Sequence, residues 1–386
     1  MTGSIVKKAN RWYVIIEQRD PQTGARRRKW HSGYRTRREA EAARTDILSR
    51  IQRGVYIEPS AQTLGRFLLD DWLPAKRTTV RATTHQSYEQ VSRAHIIPRL
   101  GAVPLRQLKA STLNSLYADL LVSGRCDGRG GLSPKTVRNT HVVIRKALSD
   151  AVRWSLLALN PADSADPPRL RDTGSTTMRT WTAAELRAFL ESVENEENGL
   201  HPLFVLAGTT GMRRGELLGL RWRDVELQQG RLSVQQTVVS VAYELHFSTP
   251  KTKRGQRSIA LDPHTTAILR DHRVKQNERR LLAGPLWTDH DLVFCRNDGG
   301  PIHPDYLSKL LVRLVAASGL PRIRLHDLRH THATLALAAG IHPKAVGERL
   351  GHADTSITLD TYSHVIPALQ ESAAETVARL VFAAGR

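Results

Sequence analysis

The apolar residues change rhythm twice along the chain, and each change marks a new kind of structure. Near the start, Trp12, Tyr13, Val14, Ile15 and Ile16 follow one another inside Arg11–Gln18, a β-branched and aromatic run that predicts a strand. Asp20-Pro21-Gln22-Thr23-Gly24 supplies a turn, and a basic run Arg26–Lys29 comes next. Thr36-Arg37-Arg38-Glu39 has the spacing of a capping box and opens a helix expected to reach about Arg53, where Gly54 would close it. A small β-β(-β)-α module is expected here.

From about Thr63 to Ala158 the period becomes helical. Leu64, Phe67, Leu68 and Trp72 make one apolar face, and Tyr88, Val91, His95 and Ile96 a second. Leu113, Leu116, Tyr117, Leu120 and Leu121 make a third, and Val137, Val143, Ile144, Leu148 and Val152 a fourth. Thr63, Thr84 and Ser133 are the expected N-caps, with Pro134 in the first helical position. Four such helices predict a compact bundle. The glycine-rich loop Gly124–Gly131 lacks Gly-Lys-Ser/Thr and reads as a plain connection.

Asn160–Thr180, rich in Pro, Asp, Ser and Gly, reads as a linker. Thr182-Ala183-Ala184-Glu185 caps a new helix. Beyond it the pattern predicts helices at Ala183–Glu194, Pro202–Ala207 and Arg214–Trp222. Strands are expected at Arg231–Val241, Glu244–Phe247 and Ser258–Leu261, and helices again from Pro263 onward. The expected fold class is multidomain and mainly α with small β elements. A small sheet-and-helix module spans residues 1–58 and a helical bundle 62–160. After a linker at 161–180, a mixed α/β, mostly helical domain fills 181–386.

Composition adds the partner. The 386 residues hold 57 Lys+Arg against 37 Asp+Glu, a net charge of +20. The excess is uneven: +8 in residues 1–60, +8 in 61–170 and only +4 in 171–386. An anionic partner is expected, and nucleic acid is the commonest one. Arg outnumbers Lys 45 to 12, which suits bidentate phosphate contact. A genomic base bias would also raise Arg, but it does not account for the skew in net charge. No apolar run reaches the roughly 18 residues a membrane span needs, so no membrane partner is expected. Met1–Tyr13 has no apolar signal core, which argues against secretion. Two cysteines, Cys126 and Cys295, cannot build a disulfide framework or a four-cysteine zinc site, and a cytoplasmic location is the simplest expectation.

Four motifs in the last domain carry candidate chemistry. Thr210-Gly211-Met212-Arg213-Arg214-Gly215-Glu216 places Arg213 and Glu216 on one helical face, where a carboxylate can orient a guanidinium; a surface ion pair is the bland reading. Pro250-Lys251-Thr252-Lys253-Arg254-Gly255-Gln256-Arg257 lies between strand-like runs and reads as a basic hairpin tip. In Leu325-His326-Asp327-Leu328-Arg329-His330, His326 and Arg329 project together. His326 and His330 sit four apart, but Asp327 stands where a zinc-protease helix has Glu, and Arg329 would repel a dication. Last come Leu350-Gly351-His352 and Thr358-Leu359-Asp360-Thr361-Tyr362-Ser363-His364. Arginines can neutralise a pentacoordinate phosphorane, His and Lys can move protons, and a tyrosine hydroxyl can act as a nucleophile.

With these motifs in this order, the chain resembles the tyrosine recombinases of the phage integrase family, of the integrase type with an N-terminal arm-binding-like module. The resemblance runs over nearly the whole length. It implies a site-specific recombinase that breaks and rejoins DNA through a 3′-phosphotyrosyl intermediate and a Holliday junction, without metal, ATP or other cofactor. Arg213 and Arg329 would grip the scissile phosphate, Tyr362 would attack it, and Lys251 would protonate the leaving 5′-oxygen. His326 would take part in proton transfer, His352 would hydrogen-bond the phosphate and place Tyr362, and Glu216 would orient the site from behind. Lys253 is the alternative to Lys251. The implied partners are double-stranded DNA at core and arm attachment sites, three further copies in a homotetramer, and an accessory directionality factor. A dimer resolvase of the same chemistry and a non-catalytic DNA-binding relative are the alternatives. The C-terminal stretch, roughly Ala368–Phe382, carries an apolar helical stripe suited to docking on a neighbouring protomer or on its own domain.

Overall fold

The computed structural model describes residues 2–19, 26–52, 61–170, 179–196, 199–250, 253–352, 354, 358–359, 378 and 381–382. The chain divides into two compact units, Met1–Arg171 and Asp172–Arg386. The architecture is mainly α with three small sheets.

In the first unit, strands β1 (Thr2–Lys8), β2 (Arg11–Arg19) and β3 (Arg26–Tyr34) form an antiparallel sheet in sequence order. The first of these carries only two apolar side chains and gives little strand signal. Val14 and Ile16 turn inward against Ala40 on the helix Arg37–Gln52. The alternate residues face away: Ile15 pairs with Trp30 across β2 and β3, and the exposed Trp30 ring meets Tyr13 edge-on at 5.8 Å. The capping box forms as its spacing predicts, with the Glu39 backbone N–H donating to Thr36 Oγ1 at 3.2 Å. Gly54 lies outside the described residues.

Four helical rods follow. The first runs through Leu64–Arg66, a π-helical stretch Phe67–Trp72 and Leu73–Arg77. The second runs through Ala82–Val91, a π-helical stretch Ser92–Ile96 and Ile97–Leu100. The third and fourth are Ala110–Ser123 and Pro134–Arg153. Thr63 and Ser133 cap their helices as expected, but the second rod begins at Ala82, ahead of Thr84, with Arg81 in the cap position. The four apolar faces meet in one core centred on Phe67, Trp72, Leu113, Leu120, Ile144 and Leu148. Asp150, only 2 % exposed, sits inside it: its carboxylate accepts from Trp72 Nε1 at 2.9 Å and pairs with Lys76 Nζ at 2.6 Å and Arg153 Nη2 at 2.7 Å. The Pro-rich stretch after the bundle starts as a 3₁₀ turn, Pro161–Ser164, docked on it through buried Ala162 and an Arg145–Asp163 ion pair.

In the second unit, the capping box at Thr182 and Glu185 starts the helix Ala183–Ser192, and Trp181 just before it donates to Pro321 O and Thr331 Oγ1. Helices His201–Thr210 and Arg214–Leu218 follow. The second stops at Gly219, where Gly219 packs against the Thr237 backbone, and Trp222 begins a separate 3₁₀ turn; the expected helix to Trp222 is therefore shorter. The expected strand Arg231–Val241 is two strands. β5 (Arg231–Val234) lies between β4 (Val225–Glu226) and β8 (Arg257–Ala260), while β6 (Thr237–Val241) pairs only with β7 (Glu244–Ser248). β7 and β8 have different partners and lie in different sheets, so they are not the two arms of the expected hairpin, and Lys251 and Thr252 between them lie outside the described residues. The helices Pro263–Ala283, Pro304–Ala317, Leu325–Ala338 and Pro343–Leu350 complete the unit around a core of Phe189, Phe204, Leu218, Phe294, Leu311 and Leu328. Among the described residues no helix is long and apolar enough to cross a membrane.

The bundle's buried ion pair carries a stability consequence. Burial pushes the Asp150 carboxyl up, but the Lys76 and Trp72 hydrogen bonds outweigh it and hold it below its ordinary value. Asp150→Asn leaves the Lys76 ammonium buried without its counter-charge and should cost roughly 3–5 kcal/mol, read from the urea midpoint of residues 1–171 within the full chain. Because the folded value is lowered, Asp150 stabilises fully above about pH 4, and its contribution fades as pH falls through the lowered value. An Asp150→Asn variant as stable as the wild type would show that the pair contributes nothing.

Candidate active site

The site is built where one helix ends. Pro343–Leu350 terminates at Gly351, which adopts a left-handed conformation (φ 68°). The Gly351 and His352 N–H groups turn back to Glu348 O and Gly347 O, at 3.0 and 2.9 Å. The next three carbonyls have no helical donor left, and each receives one arginine. Arg257 Nε donates to Arg349 O at 2.6 Å, Arg329 Nη2 to Leu350 O at 2.8 Å, and Arg213 Nη2 to Gly351 O at 3.1 Å. The negative end of the helix dipole favours such cations.

The three arginines come from three separate places. Arg213 occupies the cap position before Arg214–Leu218, two residues after Gly211, which ends the preceding helix at φ 65°. A Cβ on Gly211 would lie 2.6 Å from Leu350 Cδ2 and 2.9 Å from His332 Cδ2, so glycine is what lets this turn approach the helix end. Arg329, one turn into Leu325–Ala338, is only 3 % exposed, and its Nη1 also donates to Gly211 O at 2.8 Å. Arg257 is the first residue of β8.

Glu216 holds two of them together. It is 3 % exposed, and its carboxylate accepts from the Arg213 backbone N–H at 2.9 Å and Arg213 Nη1 at 2.7 Å. The same carboxylate accepts from Arg257 Nη2 at 2.9 Å and Nη1 at 3.2 Å. Burial pushes this carboxyl up, but the Arg257 hydrogen bond and the Arg257 and Arg213 charges outweigh it and hold it below its ordinary value. Glu216 is thus an anion wedged between guanidiniums, well beyond the surface ion pair that its spacing alone allowed.

Histidines surround the arginines. His352 follows the turn, and its Nδ1 pairs with Thr358 Oγ1 at 2.7 Å, Thr358 being fully buried. Burial first, then the charges of Arg329, Arg213 and Arg257, lower His352 to about 4. Burial and His326 lower His330 to about 4 as well, and the His326 and His330 rings meet edge-on at 4.9 Å. His326 itself is lowered, by the protein packed round its ring and then by Arg329. The imidazoles are therefore neutral at pH 7, able to accept or share protons. Among the described residues no His, Cys, Asp and Glu cluster could hold a metal ion. A cleft of about 370 Å³ opens beside the helix end, where Arg254, Arg257, Lys344 and His352 line it together with Glu348 and Asp354. With several guanidiniums against one buried carboxylate, the neighbourhood is suited to an oxyanion.

The structure thus brings together Arg213, Glu216, His326, Arg329 and His352. Lys251 and Tyr362, like the stretch expected to form a helix near Ala368–Phe382, fall largely or wholly outside the described residues. Lys253 lies in a 3₁₀ turn, Lys253–Gly255. Two structural arginines were missed. The sequence marks Arg257 only as part of the basic motif that follows Lys251, with no role of its own, and nothing in it marks Arg349, whose guanidinium donates to Ala260 O and Thr209 O at 3.0 and 3.1 Å.

The histidines make a measurable statement. An imidazole lowered in the folded state penalises folding increasingly as pH falls from about 6.5 toward the lowered value. NMR titration of the free chain should find His352 and His330 neutral at pH 6 and protonating near 4. Arg213→Gln should raise the His352 midpoint by removing a nearby cation. An unmoved midpoint would mean that the Arg213 charge does not reach the ring.

Comparison with known proteins gives the family. The model of the phage integrase family matches residues 179–368, an arm DNA-binding domain matches 4–51, and a SAM-like N-terminal domain of phage integrases matches 66–121. A tyrosine recombinase XerC-like protein of Caldanaerobacter subterraneus is 29 % identical, the match covering 96 % of this chain and 97 % of that one. An integrase of Streptomyces ambofaciens is 26 % identical over 95 % of this chain and 93 % of its own. Among solved structures, the Tn1549 transposon integrase in complex with transposon right end DNA superposes with a TM-score of 0.66 at 21 % identity, covering 81 % of this chain and 99 % of that one. A lambda integrase tetramer bound to a Holliday junction gives 0.56 at 19 %, covering 90 % and 91 %. Three matches of one kind, in one order and spread over nearly the whole length, place this chain in the phage integrase family of tyrosine recombinases.

Proposed function

We propose that the chain is the integrase of a mobile element, inserting and excising it by site-specific strand exchange. The observation that carries the reading is the gathering of Arg213, Arg329 and His352 at one helix end, with Glu216 behind Arg213. In this reading the Tyr362 hydroxyl attacks the scissile phosphorus, and the bond to the 5′-oxygen breaks. Arg213 and Arg329 neutralise the charge that builds on the non-bridging oxygens. The leaving 5′-oxygen takes a proton from Lys251, and the tyrosyl proton passes through His326. A 3′-phosphotyrosyl link and a 5′-hydroxyl result, and a 5′-hydroxyl of a second duplex reverses the step with the bond energy retained. His352, held by Thr358, hydrogen-bonds the phosphate and sets the approach of Tyr362.

Residues 1–58 would bind arm sites, 62–160 core DNA and 181–386 would carry the chemistry, with 161–180 as the linker. The relatives support a tetramer on DNA as the working form, since a lambda integrase tetramer is known on a Holliday junction. An accessory directionality factor would bias excision. A dimer resolvase of the same chemistry is the second reading. The match of residues 4–51 to an arm DNA-binding domain favours the integrase.

A nicked suicide duplex spanning the junction between element and host tests the reading. The wild-type chain should be trapped covalently on it and Tyr362→Phe should not; absence of any wild-type adduct on that junction would sink the enzyme reading. Arg213→Ala should slow trapping by roughly 100-fold or more while duplex binding persists. Removing residues 1–58 should spare trapping on the core site and abolish integration, whereas lost trapping would assign the module to the core.

A further inference from the structure

We infer that Arg257 is a positioning residue for strand cleavage, acting through Glu216 and the Arg349–Gly351 carbonyls. The inference rests on the proposed role of Arg213 and extends it to a residue to which no sequence motif gave a role of its own.

All three nitrogens of the Arg257 guanidinium are engaged by protein. Nε takes Arg349 O at 2.6 Å. Nη1 takes Gly255 O at 3.1 Å and Glu216 Oε1 at 3.2 Å, and Nη2 takes Glu216 Oε2 at 2.9 Å. Its side chain is 7 % exposed, against 40 % for Arg213. A guanidinium held at all three nitrogens fixes the groups packed around it. The fork on Glu216 is the bidentate geometry that only arginine provides. It leaves the Glu216 carboxylate one orientation, and in that orientation Oε1 and Oε2 accept the Arg213 side chain and backbone. The Nε bond ties the same carboxylate to the helix end that holds Arg213 Nη2 and Arg329 Nη2. Space is matched too: a Cβ on Gly351 would lie 3.0 Å from Arg257 Nη1 and 3.0 Å from Arg254 O. One residue therefore sets the distance between the segment after Lys251, the Arg213 turn and the His352 turn. Reacting groups displaced by about 1 Å lose on the order of 100-fold in rate.

The test uses the full chain and the nicked junction duplex described above. Arg257→Gln should bind the duplex within about threefold of wild type yet form the covalent adduct about 100-fold more slowly. Arg257→Lys, which keeps the charge but not the fork, should recover part of that rate. In a double-mutant cycle with Glu216→Gln, the double variant should be no slower than the slower single, since both act on one unit. The inference is overturned by a wild-type rate in Arg257→Gln, by losses that multiply, or by both Arg257 variants failing to fold or to bind. Arg213→Ala separates the two levels. If it cleaves normally the active-site reading itself fails; if it is inactive while Arg257→Gln is normal, only the present inference does.

Discussion

A helix that ends must leave carbonyls without donors, and in this chain the end of Pro343–Leu350 is where three distant segments meet. The left-handed Gly351 lets the backbone satisfy Gly347 O and Glu348 O internally. Arg349 O, Leu350 O and Gly351 O remain, one peptide apart, and they take Arg257, Arg329 and Arg213 in that order. Like charges do not gather without a reason. Here the carbonyl dipoles and the single buried carboxylate of Glu216 hold them, and the balance stays positive. Burial lowers His352 first, and the charges of Arg329, Arg213 and Arg257 lower it further.

The distribution of charge separates two tasks. The excess of +16 in residues 1–170 is spread over a thin sheet module and a bundle, the form of cation that follows a polyanion along its length. The last domain, at +4, is nearly balanced in total, yet several of its guanidiniums are focused on one turn. Net charge therefore points to the half of the chain that matches DNA-binding domains and passes over the half that holds the reactive cluster.

Local signals in the sequence were followed closely by the fold. The capping boxes at Thr36 and Thr182, the N-caps at Thr63 and Ser133 and the four bundle faces all depend on residues within a few positions of one another, and they formed where expected. The N-cap expected at Thr84 did not form, since that helix starts at Ala82, and the strand readings failed because they depended on partners far along the chain. Arg231–Val241 reads as one strand because it is rich in β-branched residues, but β5 pairs with β8 and β6 with β7, so the chain changes sheets at Gln235-Gln236. The same exchange left β7 and β8 in different sheets, so they do not pair as the arms of a hairpin. Arg213, Arg329 and His352 were legible because they sit in short motifs. Arg257 and Arg349 were not, because a buried guanidinium that holds backbone carbonyls looks, in a sequence, like any other surface cation.

The Gly351 terminus also bears on safety. A chain that attacks DNA is dangerous to its host whenever its nucleophile is competent in the wrong state. The arginine cluster of the candidate site does not exist in a nascent or partly unfolded chain, since its arginines are aligned by the last carbonyls of a finished helix and by a carboxylate buried only in the packed domain. Until that helix has stopped at Leu350, the arginines are ordinary cations dispersed along more than a hundred residues. Completion of the fold is what brings them together.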